Sequence, residues 1–168
     1  MPSPLAMPTD SGSPLCDPAP AQGATPVVEA AFLDALLQGD RRRCAGVVAR
    51  RRDAGQSVVE IYEALLRPSL YAVGDLWEAN RVSVAAEHLA TAVVDGLLAE
   101  LYPLVLGTPR GDRRAVVASL EGELHHLGAK MVCDVLELHG WDSVYSGPDL
   151  PLADLLTLVE AQRPQLLG

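Results

Sequence analysis

Apolar residues recur with helical spacing through the middle of the chain. Val58, Ile61, Leu65, Leu66, Leu70, Val73 and Leu76 fall on one helical face in a segment that starts at Ser57. Pro68 lies inside it and predicts a kink, because proline lacks an amide proton and crowds the preceding turn. Three more helical segments surround this one. "TPVVEAAFLDALLQG" has Thr25 as cap, Pro26 at the first helical position and Gly39 at its end. "DRRRCAGVVARRRDAG" runs from Asp40 to Gly55, and "SVAAEHLATAVVDGLLAELYPLVL" is capped by Ser83 and runs to about Tyr102. Short connections make these neighbours antiparallel, which predicts a four-helix bundle over 25–106.

The periodicity changes after "GTPRGD", 107–112, which reads as a linker. "RRAVVASL" is a short Val-rich run of a buried strand. A Gly-bearing loop leads into a helix, "HLGAKMVCDVLELHG", ended by Gly140. "WDSVYSG" is a second strand, "PLADLLTLVEAQRP" a second helix and "QLLG" the opening of a third strand. The expected fold is α + α/β: a helical bundle, then a flavodoxin- or Rossmann-like parallel sheet over 112–168. Two strands and part of a third do not complete such a sheet, so the chain is expected to be a piece lacking roughly two to three strands. Residues 1–24, rich in Pro, Ser, Ala and Gly, are expected to form a disordered tail.

Composition narrows the function. Almost half of the 168 residues are hydrophobic, enough for a packed core, and the net charge of −9 disfavours general attraction to nucleic acid. Yet half of the arginines lie in "RRRCAGVVARRR", 41–52, either as a solvated helix face or as a docking patch for an acidic partner. Cys16, Cys44 and Cys133 have neither zinc nor disulfide spacing, which makes a reducing cytosol the simplest compartment. No apolar run approaches about eighteen residues, so no membrane span is expected, and no signal peptide is evident.

Two stretches concentrate the rare chemistry. "LEGELHHLGAKM" holds Glu123, His125 and Gly128 in the spacing E-x-H-x-x-G, where the first strand's carboxyl end meets a helix. Ligands of open parallel sheets bind at that edge. A carboxylate beside the histidine fixes its tautomer and raises its basicity, and Gly128 lets backbone approach a bulky ligand. One histidine is too few for zinc but suits a metal already held by a macrocycle. Spacing alone leaves open that His125 and His126 are surface histidines at a helix start. "GDLWEANRVSVAAEHLAT" places Trp77 at one helix end and Glu87 and His88 in the first turn of the next. Read alone, these are a core tryptophan and a solvated pair.

The E-x-H-x-x-G loop after "AVVASLEG", followed by "GWDSVYSGPDLP", resembles the cobalamin-binding domain of methionine synthase, corrinoid methyltransferase proteins and light-sensing adenosylcobalamin regulators. In that family D-x-H-x-x-G is the usual form and its histidine is the lower axial base of the cobalt. The resemblance implies that role for His125, with Glu123 where Asp is commoner; His126 is the choice of a shifted register. The spacing W-x9-E-H resembles the helical cap of the photoreceptor-type regulators. It implies that Trp77 packs near the upper axial group, while Glu87 and His88 contact that group or the corrin edge. The implied cofactor is cobalamin, as adenosylcobalamin or methylcobalamin, with its cobalt.

The resemblance implies a non-catalytic regulatory or light-sensing module acting through a regulatory protein partner. A homo-oligomer is admitted, and no direct contact with nucleic acid or membrane is expected. A corrinoid methyl-carrier protein is the alternative, and a flavodoxin-like partner-binding domain without cobalamin is a third reading. The chain departs from the pattern in three ways. The family's Ser or Thr after the third strand and its Gly-Gly turn are absent. Glu78 follows Trp77 where some light sensors carry a histidine. No winged-helix DNA-reading segment precedes the cap.

Overall fold

A computed structural model describes residues 29–168. The tail assigned to 1–24 and the Thr25–Pro26 start lie outside these residues. The helical part comprises α1 (Ala30–Leu37), α2 (Arg41–Asp53), α3 (Val58–Ile61), α4 (Arg67–Glu78) and α5 (Val84–Val105). Between α3 and α4, Tyr62–Leu66 winds as a π-helix. The kink expected from Pro68 thus takes the form of a widened turn just before the proline, which accommodates its ring and missing donor. Local chemistry sets the boundaries. Asp40 accepts from the Arg43 amide at 3.0 Å, Ser57 and Glu60 form a reciprocal capping box, and Ser83 caps α5 through the Ala86 amide. Gly39 and Gly55 end α1 and α2 at positive φ.

The bundle core centres on α5, whose buried stripe runs from Ala90 to Val105. Phe32, Leu36, Ile61, Tyr62 and Leu66 pack against that stripe. α5 continues past Tyr102 and through Pro103 to Val105, beyond the end read from sequence. It is also long and apolar enough, by length and composition, to cross a membrane. That corrects the expectation that no segment qualifies; here its apolar stripe supplies the bundle core.

The second part alternates β1 (Arg114–Val117), α6 (Leu127–Leu138), β2 (Asp142–Tyr145), α7 (Leu152–Gln162) and β3 (Leu166–Leu167). The strands are parallel in the order β2-β1-β3, Ala115 facing Ser143 on one side and Leu166 on the other. Ala115, Val116 and Val117 are buried, as expected of a central parallel strand.

α6 belongs to both parts. Leu127 and Met131 join the bundle core, and three side chains spaced along α6 hold the bundle. Lys130 Nζ donates to Asp95 at 2.7 Å, Tyr62 donates to buried Asp134 at 2.7 Å, and Tyr102 donates to Glu137 at 3.4 Å. Burial pushes the Asp134 and Glu137 carboxyls up from their ordinary values. Cys44 and Cys133 are buried free thiols, and desolvation pushes Cys44 up to about 11, which leaves it unreactive.

Candidate functional site

Two of these staples fix the orientation of α5 and α6. Asp95–Lys130 and Tyr102–Glu137 each join residues 35 apart, and the second pair lies farther along both helices. The two helices therefore run parallel and in step. Their N-termini share one end of the molecule, the end where β1 delivers the chain into the loop before α6. Glu87 and His88 lie in the first turns of α5, toward that end.

The loop orients one histidine. The His125 amide donates to Glu123 Oε1 at 2.6 Å, and its ring Nδ1 meets the same oxygen at 2.7 Å. An ionised carboxylate only accepts, so Nδ1 carries the proton and Nε2 is left as the free nitrogen. The amide and then the imidazole hold the Glu123 carboxyl below the usual glutamate range. The His125 side chain is 96% exposed, so the oriented ring projects from the surface. His126 instead turns Nδ1 to the Leu124 carbonyl at 3.1 Å and sits at the N-cap of α6.

The surface around His125 is open, with carboxylates and leucines interleaved along the loop. Leu120 and Leu124 are exposed. Gly128 lies in the first turn of α6, and a Cβ built there would meet no protein atom within 4 Å. Packing within the chain does not demand glycine at this position. We therefore expect Gly128→Leu to leave the melting temperature unchanged or slightly higher, since Gly costs a helix interior about 1 kcal/mol relative to good helix formers. The same change is expected to abolish ligand retention; gel filtration with cobalamin checks this.

The other stretch forms the tip of the α4–α5 hairpin. The Asn80 amide donates to the Trp77 carbonyl and the Arg81 amide to the Leu76 carbonyl, at 2.9 and 2.8 Å. Asn80 takes a φ of 55°, so α4 ends in a Schellman turn. This holds Trp77 near the start of α5. Trp77 is 48% exposed, which removes the reading of it as a core tryptophan. Val84 and Leu89, in the first turns of α5, are exposed as well. His88 Nδ1 lies 2.5 Å from Glu87 Oε2, so a second imidazole is oriented by a carboxylate at the same end as the first. Glu78 closes α4. The described residues contain no cluster of three metal-ligating side chains.

Spacing did not reveal a clasp on the loop. Asp149, at the start of the approach to α7, accepts from the Gly122 amide at 2.8 Å across 27 residues. Its own amide donates to the Glu123 carbonyl at 3.2 Å. The available signal was the "GPD" turn after β2, which marks a turn but not its target.

Residues 28–102 match the family described as B12 binding domain. The chain is 33% identical over 136 residues to the HTH-type transcriptional repressor CarA of Myxococcus xanthus, across 79% of this chain and 43% of that protein. It is 24% identical over 139 residues to trimethylamine corrinoid protein 1 of Methanosarcina mazei, across 80% of this chain and 64% of that protein. The solved monomethylamine corrinoid protein of Methanosarcina barkeri superposes with a TM-score of 0.70 at 18% identity, covering 81% of this chain and 64% of that one. That likeness is one of fold. The chain spans less than two thirds of the length of these relatives.

Proposed function

We propose that the chain, whose residues 28–102 match the B12 binding domain family, is a cobalamin-binding regulatory module, loaded with adenosylcobalamin, with His125 as the lower axial ligand of the cobalt. The observation that carries this reading is the Glu123–His125 pair, whose Nε2 is free and projects beside an open glycine. The residues present fit the group: one oriented donor for a metal already held in a ring, apolar Leu120 and Leu124 for its lower face, and no side chain on Gly128 to obstruct it. Trp77, Glu87 and His88 are assigned to the upper face. When bound, cobalamin supplies a cobalt–carbon bond that light or a reaction partner can break.

The chain's own residues supply orientation and shelter. Glu123 fixes the proton on Nδ1 of His125 and raises the basicity of Nε2. Trp77, half-exposed at the hairpin tip, would offer apolar cover that excludes water from the upper side. The hairpin tip that carries Trp77 would be the part of the chain that responds to the state of a bound ligand, which is the proposed route to output. The partner surface is assigned to α2. Arg43 pairs with Asp34 and Arg51 with Glu29, while Arg41, Arg42, Arg50 and Arg52 are exposed without an ion pair among the described residues. An acidic regulatory protein suits that face. A cytoplasmic location goes with this reading.

A corrinoid methyl carrier is the second reading, favoured by the match to the trimethylamine corrinoid protein. The experiment separating them loads the chain with adenosylcobalamin and records absorbance and hydrodynamic radius before and after green light, with Trp77→Ala alongside. The regulatory reading expects a retained corrinoid, a spectral change on illumination accompanied by a change in radius, and weaker retention by Trp77→Ala at an unchanged melting temperature. No corrinoid retained by the unaltered chain would sink both readings. Methylation of bound cobalt by a separate methyltransferase, with no response to light, would favour the carrier.

A further inference from the structure

We propose that Asp149, in the loop after the neighbouring strand β2, is the positioning residue of the histidine loop and holds the Glu123–His125 pair in place. The proposal rests on reading His125 as the cobalt-ligating residue, and it names what controls that ligand.

The loop between β1 and α6 contains few packed side chains: Leu120, Glu121, Gly122, Glu123, Leu124 and His125 are all exposed. Nothing in a hydrophobic core therefore fixes its course. Its order has to come from hydrogen bonds, and these converge on the segment after β2. The Leu150 amide donates to the Ser119 carbonyl at 3.1 Å, extending the parallel pairing to Leu120 and Leu150. One residue earlier, Asp149 makes two contacts at once. Its Oδ1 accepts from the Gly122 amide at 2.8 Å, and its amide donates to the Glu123 carbonyl at 3.2 Å. The peptide bracketed by these two bonds carries Glu123, whose Oε1 in turn takes both the amide and the Nδ1 of His125. Position passes from Asp149 to the Gly122–Glu123 backbone, then to the Glu123 carboxylate, then to the imidazole.

The backbone conformations agree with a specific residue requirement. Gly122 has φ 85° and Asp149 has φ 55°. Asp and Asn are among the few residues with side chains that enter the left-handed region readily, and both carry a short oxygen acceptor for a nearby amide. Glycine enters that region freely but offers no acceptor. Asp149→Gly therefore removes the side-chain half of the clasp without backbone strain, and Asp149→Asn keeps both the acceptor and the conformation.

The test compares these two variants with the unaltered chain, first without cobalamin. Nitrogen-15 shifts of the His125 ring report which nitrogen carries the proton, and hydrogen exchange reports the Gly122 amide. Asp149→Gly is expected to speed exchange at Gly122 and to shift His125 from the Nδ1-protonated tautomer toward a mixture, with the melting temperature retained. Asp149→Asn is expected to match the unaltered chain. An unchanged His125 tautomer in Asp149→Gly overturns the proposal, as does an Asn variant that behaves like Gly. With cobalamin added, Asp149→Gly is expected to lose affinity toward the lower end of the roughly 10–100-fold that outer-sphere partners of a metal ligand command. Equal affinity of Asp149→Gly and the unaltered chain also overturns it. If the unaltered chain takes up no cobalamin, the cobalt reading fails, and the tautomer shift still decides the role of Asp149.

Discussion

His125→Ala is expected to remove the histidine-bound absorbance of the cobalamin-loaded chain and most of its corrinoid retention while leaving the fold intact. The two halves of that result come from one observation, the 96% exposure of the side chain. A residue that touches so little protein contributes little to folding, and surface substitutions of this kind stay within about 0.5 kcal/mol. The same projection leaves Nε2 available, and no other imidazole of this loop has its carboxylate partner. Glu123→Ala is the graded companion. It keeps the ligand but frees its tautomer, and losing such a partner costs roughly 10–100-fold in metal affinity. Equilibrium dialysis with a corrinoid, alongside a thermal melt of each unloaded variant, checks the whole series. Equal retention by His125→Ala and the unaltered chain would mean that the cobalt is held elsewhere.

Tyr62→Phe is expected to have the largest effect on stability among conservative changes. Tyr62 is 2% exposed and Asp134 4%, and the 2.7 Å bond between them joins the bundle to α6. Phenylalanine preserves the packing but leaves a buried carboxyl without its donor, which costs about 1–3 kcal/mol. For a chain of this size that is a fall of roughly 3–10 °C in melting temperature.

The loss has a pH signature. Burial raises the folded-state pKa of Asp134 above its ordinary value of 3.8, and the Tyr62 hydrogen bond opposes that rise. A carboxyl with a raised folded pKa contributes most below its unfolded value, and this contribution is lost as pH climbs through the folded one. Without the Tyr62 donor the folded pKa rises further. The deficit of Tyr62→Phe is therefore smallest below about pH 4 and grows toward neutrality. Melts of both proteins across that range check the sign; a deficit that shrinks as pH rises would contradict it.

Much of the fold was legible because local rules and burial agreed. Ser83 reads as a cap and Asp40 and Ser57 as helix starts, and all three cap their helices in the structure, Ser57 in a capping box with Glu60. The short Val-rich run after the linker reads as a buried strand by its length and flanks, and it forms β1 with Ala115, Val116 and Val117 buried. What was not legible depended on non-local partners. Pro68 announced a disturbance, but whether it became a bend or a π-turn depended on how α3 and α4 pack. α6 reads as a helix of the sheet, yet Lys130, Asp134 and Glu137 tie it to the bundle through residues distant in sequence.

The site divides in the same way. Glu123 and His125 are neighbours, so their contact follows from spacing. That Glu87 and His88 share an end of the molecule with them required the parallel register of α5 and α6. Trp77 reads in isolation as a core residue, and only the Schellman turn at Asn80 and the hairpin geometry explain why it is half-exposed.

The central claim, that His125 supplies the axial nitrogen of cobalt, is tested most directly by electron paramagnetic resonance. The chain is produced with nitrogen-15 histidine, loaded with cobalt(II) cobalamin and compared with unlabelled protein. The account predicts that the axial nitrogen splitting changes from triplets to doublets on labelling, and that the doublets disappear in His125→Ala. Triplets persisting in the labelled protein would place cobalamin's own base on the cobalt and contradict it.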